Sequence, residues 1–217
     1  MGAVTRALAN NIGANGVLDA SAFANDKSFG NISAWPSGIA AGNTVLISTT
    51  TISSDTTNVD ITAGINSSYP TYIFKFIDLK VKTDGANLGF YWSNDGGSSY
   101  GVAVTATYAR TAGQSAYSYE TDKDLHNSTD TVRLSHSQGN DSDSGMSGYM
   151  FLYNPSSTTF YKGFQVDGQF FQTAKENFYY HCHGIIRTTS AVNAIRFNTS
   201  SGDISGGIIK LYGLKDS

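Results

Sequence analysis

Residues Asn193–Leu214 read NAIRFNTSSGDISGGIIKLYGL, and two runs of strict alternation stand in them. Ala194, Arg196 and Asn198 alternate with Ile195, Phe197 and Thr199. Further on, Ile208, Lys210 and Tyr212 alternate with Ile209, Leu211 and Gly213. Successive side chains of a strand point to opposite faces, so a period of two with one apolar set predicts two strands, each with a core face. Ser200, Ser201, Gly202 and Asp203 supply turn chemistry between them, and Gly206-Gly207 a second flexible point. The expectation is an antiparallel hairpin locked into a sheet, closing the domain with its last strands.

The composition agrees with a β protein. Charged residues make up 14% and aromatic residues 12%, with 13 Tyr, 12 Phe and 23 Gly, and Glu occurs only at Glu120 and Glu176. Helices favour Ala, Leu, Glu and Lys, whereas pleated, half-buried surfaces favour Tyr, Phe, Thr, Val and Ile. The 217 residues suffice for one substantial sandwich with an extension. A net charge of −3, with scattered basic residues, gives no nucleic-acid footprint. No stretch approaches the roughly 20 apolar residues of a membrane helix. The opening MGAVTRALANNIGANG lacks the long apolar core of a secretory signal. The single Cys182 excludes an intrachain disulfide framework, which suits assembly in a reducing cytoplasm.

Along the chain, Phe23, Phe29, Ile32, Trp35 and Ile39 are isolated hydrophobes among Ser, Asn, Gly and Ala, with no common period. Residues 1–57 are therefore expected to be an extended anchoring and assembly arm, with Phe23, Phe29 and Trp35 as buried anchors. Residues 58–217 are expected to form the sandwich. Strands are predicted at 44–48, 59–65, 72–82, 87–93, 102–108, 131–135 and 148–154, in two pieces over 159–172, and at 178–189 with a bulge at Gly184. In the strand at 72–82, Ile73, Lys75, Ile77, Leu79 and Val81 are assigned to one face. Asn94-Asp95-Gly96-Gly97 predicts a hairpin between 87–93 and 102–108. Residues 111–129 and 137–148 are expected to be surface loops. The whole predicts an all-β, antiparallel, jelly-roll-like β-sandwich with an extended N-terminal arm.

Three pieces resemble a recurring pattern in bacteriophage virion structural, tail-fibre-like β-sandwich proteins of marine-phage-type particles. They are the aromatic strand from Tyr72 followed by DGANLGFYWSNDGGSSY up to Tyr100, the run GYMFLYNP from Gly148 to Pro155, and the C-terminal stretch. In the last, Asn193, Ile195, Arg196, Phe197, Ser200-Ser201-Gly202, Ile204, Gly207 and Leu211-Tyr212-Gly213 match, and Asp203 departs from an expected Asn. The opening MGAVTRALANNI is similar to the start of such proteins. The resemblance implies a particle component without enzymatic activity, an exterior tail or fibre subunit meeting other virion proteins. It also implies a homo-oligomer, in particular a trimer. A capsid decoration protein is the alternative, and a free carbohydrate-binding module a further one. The implied location is the virion, assembled in the host bacterium's cytoplasm.

Candidate chemistry is sparse. His181 and His183 flank Cys182 at i and i+2 and so share a strand face, but two imidazoles fall short of the four ligands of a structural zinc site. They read as hydrogen-bonded surface or contact residues, with Cys182 turned inward. Asn140, Asp141, Ser142, Asp143 and Ser144 offer oxygens, but without the Gly and Glu spacing of a calcium loop. A solvated loop is the better reading. No His-Glu-x-x-His or Gly-Lys-Ser/Thr motif occurs. Asp122, Asp124 and His126 form the best acid/base cluster and read as solvated charge. No cofactor is expected. Tyr91, Trp92, Tyr100, Tyr108, Tyr117 and Tyr119 lie on or near predicted loops, where aromatic residues serve either a host glycan or a subunit partner.

Overall fold

Tyr72, Phe74 and Phe76 all point inward from β3 (Thr71–Val81), and then the phase changes. Asp78 takes a left-handed φ of 51°, and Leu79 and Val81 become the inward residues. The neighbouring strand shifts register at the same place, with Gly206 opposite Lys80 and Ile208 opposite Ile77. A bulge of this kind swaps the faces of a strand, and so the single face assigned across the bulge is corrected. Gly207 (φ 116°) permits it, since a Cβ there would lie 2.6 Å from the Asp78 carbonyl oxygen.

The computed structural model describes residues 43–112, 119–121 and 125–215. Besides β3 the strands are β1 (Thr44–Ile52), β2 (Asn58–Ile61), β4 (Leu88–Ser93), β5 (Val104–Ala112), β6 (Tyr119–Thr121) and β7 (Leu125–Ser128). They continue with β8 (Val132–Arg133), β9 (Met146–Tyr153), β10 (Lys162–Phe171), β11 (Asn177–Ile186), β12 (Ala194–Thr199) and β13 (Ile204–Leu214). The larger sheet runs β1-β13-β3-β9-β10-β11-β5-β6, with β7 also on β5, and the smaller runs β2-β12-β4-β8. All named pairs are antiparallel. The expected all-β antiparallel sandwich is therefore present. A jelly roll winds eight strands through two Greek keys, whereas β9, β10 and β11 here run as consecutive neighbours within one sheet.

The stretch that signals the fold does so differently from a hairpin. β12 pairs with β2 and β4 in the smaller sheet, while β13 pairs with β1 and β3 in the larger one. Residues 200–203 thus carry the chain across the sandwich. Gly202 supplies a φ of 69°, and Thr199 Oγ1 donates to the Gly202 carbonyl at 2.8 Å. The second expected hairpin is corrected in the same way, since β4 lies in the smaller sheet and β5 in the larger. Asp-Gly chemistry marks a reversal of direction, and a crossing between sheets needs it as much as a hairpin does.

Other boundaries also move. β1 pairs along β13 from Thr44 opposite Leu214 to Ile52 opposite Gly207, so Thr44–Ile52 is a strand of the larger sheet, although the arm was expected to run to residue 57. Its Ser and Thr hydroxyls suit an edge strand that faces water on one side. Phe23, Phe29 and Trp35 lie outside the described residues. β10 is one unbroken strand through Gly163 and Gly168, and the register at Gly184 is regular. Gly184 answers a close approach, because a Cβ there would meet Phe164 Cζ and the Thr105 carbonyl oxygen at 2.6 Å. The expected loop 111–129 contains β6 and β7.

Aromatic rings join the two sheets. Phe197 of β12 packs edge-on against Phe74 and Phe76 of β3, with centroids 6.0 and 5.5 Å apart. Phe90 of β4 meets Trp92 at 5.3 Å and Phe164 of β10 at 5.7 Å. Such rings combine large buried area with favourable edge-to-face geometry. Ile209 and Leu211 of β13 are fully buried, as their alternation predicts. Among the described residues no helix is long and apolar enough to cross a membrane.

Candidate binding face on the larger sheet

β9 reads MSGYMFLY, and its alternation places Met150 and Leu152 in the core and Tyr149, Phe151 and Tyr153 on the outer face. Tyr149 and Phe151 meet edge-on at 5.5 Å, and Phe151 and Tyr153 stack at 6.0 Å. Exposures of 44% for Tyr149 and 40% for Tyr153 are high for such large side chains on a sheet face.

Register extends this ladder sideways into two rows. One row runs Leu46, Tyr212, Ile73, Phe151, Gln165, His183, Thr107. The other runs Lys210, Lys75, Tyr149, Asp167, His181, Ala109. Each row passes from apolar or cationic residues on β13, β3 and β9 to polar residues on β10 and β11. The apolar half forms a groove of about 720 Å³ lined by Thr44, Ile73, Ile77, Tyr149, Phe151 and Tyr212. An adjoining hollow of about 290 Å³ shares Tyr149 and reaches Asp167, Gln169 and Tyr179.

Asp167 is the polar centre. Its Oδ1 accepts from Tyr179 Oη at 2.7 Å and lies 2.6 Å from His181 Nδ1, and its Oδ2 accepts from Gln165 Nε2 at 2.9 Å. Burial pushes this carboxyl up, but the hydrogen bonds from Tyr179, His181 and Gln165 outweigh it and hold it below the usual range. The bond to Asp167 in turn pushes the Tyr179 phenol up to about 12. A carboxylate so held is ionised at neutral pH and fixes the three side chains around it.

The sequence candidates distribute as follows. His181 and His183 share the outer face with rings 5.5 Å apart, and Cys182 faces the core, where burial pushes its thiol up. His181 is spent on Asp167, and among the described residues no three His, Cys, Asp or Glu side chains are grouped to hold a metal. In the 140–144 loop, Asp141 pairs with Lys175 at 3.4 Å, the Ser142 carbonyl accepts from Lys80 Nζ at 2.6 Å, and Asp143 is exposed. His126 is exposed on β7, while Asp122 and Asp124 lie outside the described residues.

Among the described residues the aromatic candidates do not share one surface. Trp92 and Tyr108 are core residues at 1% exposure, since both take inward positions of their strands. Tyr91 and Tyr100 belong to the outer side of the smaller sheet. There Arg196 lies 4.2 Å over the Tyr100 ring and holds Asp60 with two bonds of 2.7 and 2.6 Å. Tyr91 accepts from Thr131 Oγ1 beside a cavity of about 230 Å³ that also touches Tyr108 and Arg133. Tyr119 opens β6 opposite Thr111, and Tyr117 lies outside the described residues. The residues missed were Tyr149, Phe151, Tyr153 and Asp167. Their signal was alternation within a run that is hydrophobic on both faces, and a lone Asp between Val166 and Gly168.

Comparison with family models, with curated proteins and with solved structures finds no match for this chain.

Proposed function

We propose that this chain is a non-enzymatic structural subunit of a bacteriophage particle, on the exterior, of tail or fibre type. In this reading it is a homo-oligomer, in particular a trimer, fastened to other virion proteins through the segment that precedes β1. The outer face of the larger sheet is turned toward a partner or the host surface. The observation that carries the reading is that face. Its apolar groove and exposed Tyr149 and Tyr153 sit on a paired sheet, as a recognition surface requires, beside a carboxylate held in place by three hydrogen bonds. The resemblance gives it direction, because its three pieces fall on the strands that build the sandwich and this face: β3 and β4, β9, and β12 with β13.

The test is gold-labelled antibody raised against the purified chain and applied to particles released from the lysed host culture. Label confined to the tail supports the reading. Label spread over the head supports the capsid-decoration alternative instead, and particles without label overturn both.

A further inference from the structure

Lys75 and Lys210 stand directly opposite each other on β3 and β13. Neither side-chain ammonium has a hydrogen bond or an ion pair among the described residues. Like charges directly opposite on adjacent strands repel and weaken a sheet. Both belong to the row that continues through Tyr149 to Asp167, and Lys75 lines the apolar groove. Strands lie about 4.8 Å apart, so Lys75 and Asp167 are about 10 Å apart across Tyr149. That row therefore offers a cationic end, an exposed aromatic ring and an acceptor end.

We infer that this row is a binding site for an acidic saccharide. A sugar ring carries C–H groups on one face, which suit the electron-rich face of Tyr149, and hydroxyl groups around its rim. Its carboxylate, placed at the cationic end, takes charge-assisted hydrogen bonds from Lys75 and Lys210 and relieves their repulsion. At the other end Asp167 uses three of the roughly four acceptor positions of a carboxylate, which leaves one for a sugar hydroxyl reached through the adjoining hollow. A neutral glycan leaves the two ammonium groups unpaired, and an apolar peptide leaves the acceptor end unused. The inference deepens the reading of an exterior face, and it stands or falls separately from whether the chain is found in particles.

The experiment is calorimetric titration of the full chain with three acidic probes: tetragalacturonic acid, a glucuronate-containing tetrasaccharide and a sialyl oligosaccharide. Maltotetraose is the neutral control and oligoglutamate the anionic control without a sugar. Saturable binding of at least one acidic saccharide is expected, weakening as salt is raised, with maltotetraose and oligoglutamate at least about tenfold weaker. Lys75→Gln with Lys210→Gln, and separately Tyr149→Ala, should each raise Kd about tenfold or more. Both are surface changes, and a Tm that does not fall confirms that the fold persists. No binding of any acidic probe, equal binding of oligoglutamate, or full affinity in either variant overturns the inference. A chain that labels on particles yet binds no acidic saccharide fails here alone.

Discussion

Lys162 is buried to 0% exposure in β10 with its Nζ donating to the Thr188 and Ser190 carbonyls at 2.9 and 2.6 Å. Burial pushes its ammonium below the usual lysine range. Removing the ammonium forfeits two charge-assisted hydrogen bonds to backbone carbonyls, each stronger than a neutral one. Lys162→Met should therefore lower stability by about 1–3 kcal/mol, read as a shift in the urea midpoint at unchanged slope. An unchanged midpoint would show the carbonyls satisfied some other way. Asp167 makes the complementary case. Its native carboxyl is held below its unfolded value of about 3.9, so its contribution is present above that pH and is lost as pH falls through the lower native value. Asp95 behaves alike, held at about 2 by the Ser99 and Ser93 hydroxyls. Thermal scans from pH 6 to pH 2 should lose Tm below about pH 4. Asp167→Asn, already lower in Tm at pH 6, should fall less steeply over that range.

Among the elements, the β3–β13 bulge fixes which side chains reach the core on both sides of Asp78. Gly207→Ala must place a Cβ against the Asp78 carbonyl at a φ of 116°, so a loss of about 1–3 kcal/mol or a slipped register is expected. Denaturation midpoints measure the first, and amide exchange of β13 the second. A fully stable variant with unaltered exchange contradicts the bulge. This is also where the sequence was least legible. Alternation in Ile208–Gly213 named the inward Ile209 and Leu211 correctly, because one face there is clearly apolar. In YIFKFIDLKV both faces carry hydrophobes, so nothing local announced that Asp78 would change the phase. The turn at 200–203 was legible as a turn, but which sheet receives the next strand depends on pairing more than 100 residues away, Ile209 with Phe76 for example. The same both-sided hydrophobicity in GYMFLY hid the exposed ladder of Tyr149, Phe151 and Tyr153, which is why aromatic residues near loops looked the better candidates.

At the scale of the whole molecule, the last strands join both sheets to early ones: β12 pairs with β4, and β13 with β3 and β1. Such long sequence separations delay closure until the C-terminal residues are available, and Phe197 then completes the ring contacts between sheets. Ile209→Asp should abolish folding by placing an unpaired charge in the core, seen as loss of the β-sheet circular dichroism signal and of cooperative melting. A soluble, cooperatively folded variant contradicts the assigned faces. The sandwich so closed holds the outer face of the larger sheet rigid, and the proposed role as an exterior virion subunit rests on that face. The most direct measurement is mass-spectrometric quantitation of this chain in gradient-purified particles. The account predicts a fixed, small copy number per particle, a multiple of three; absence of the chain from the particles would contradict it.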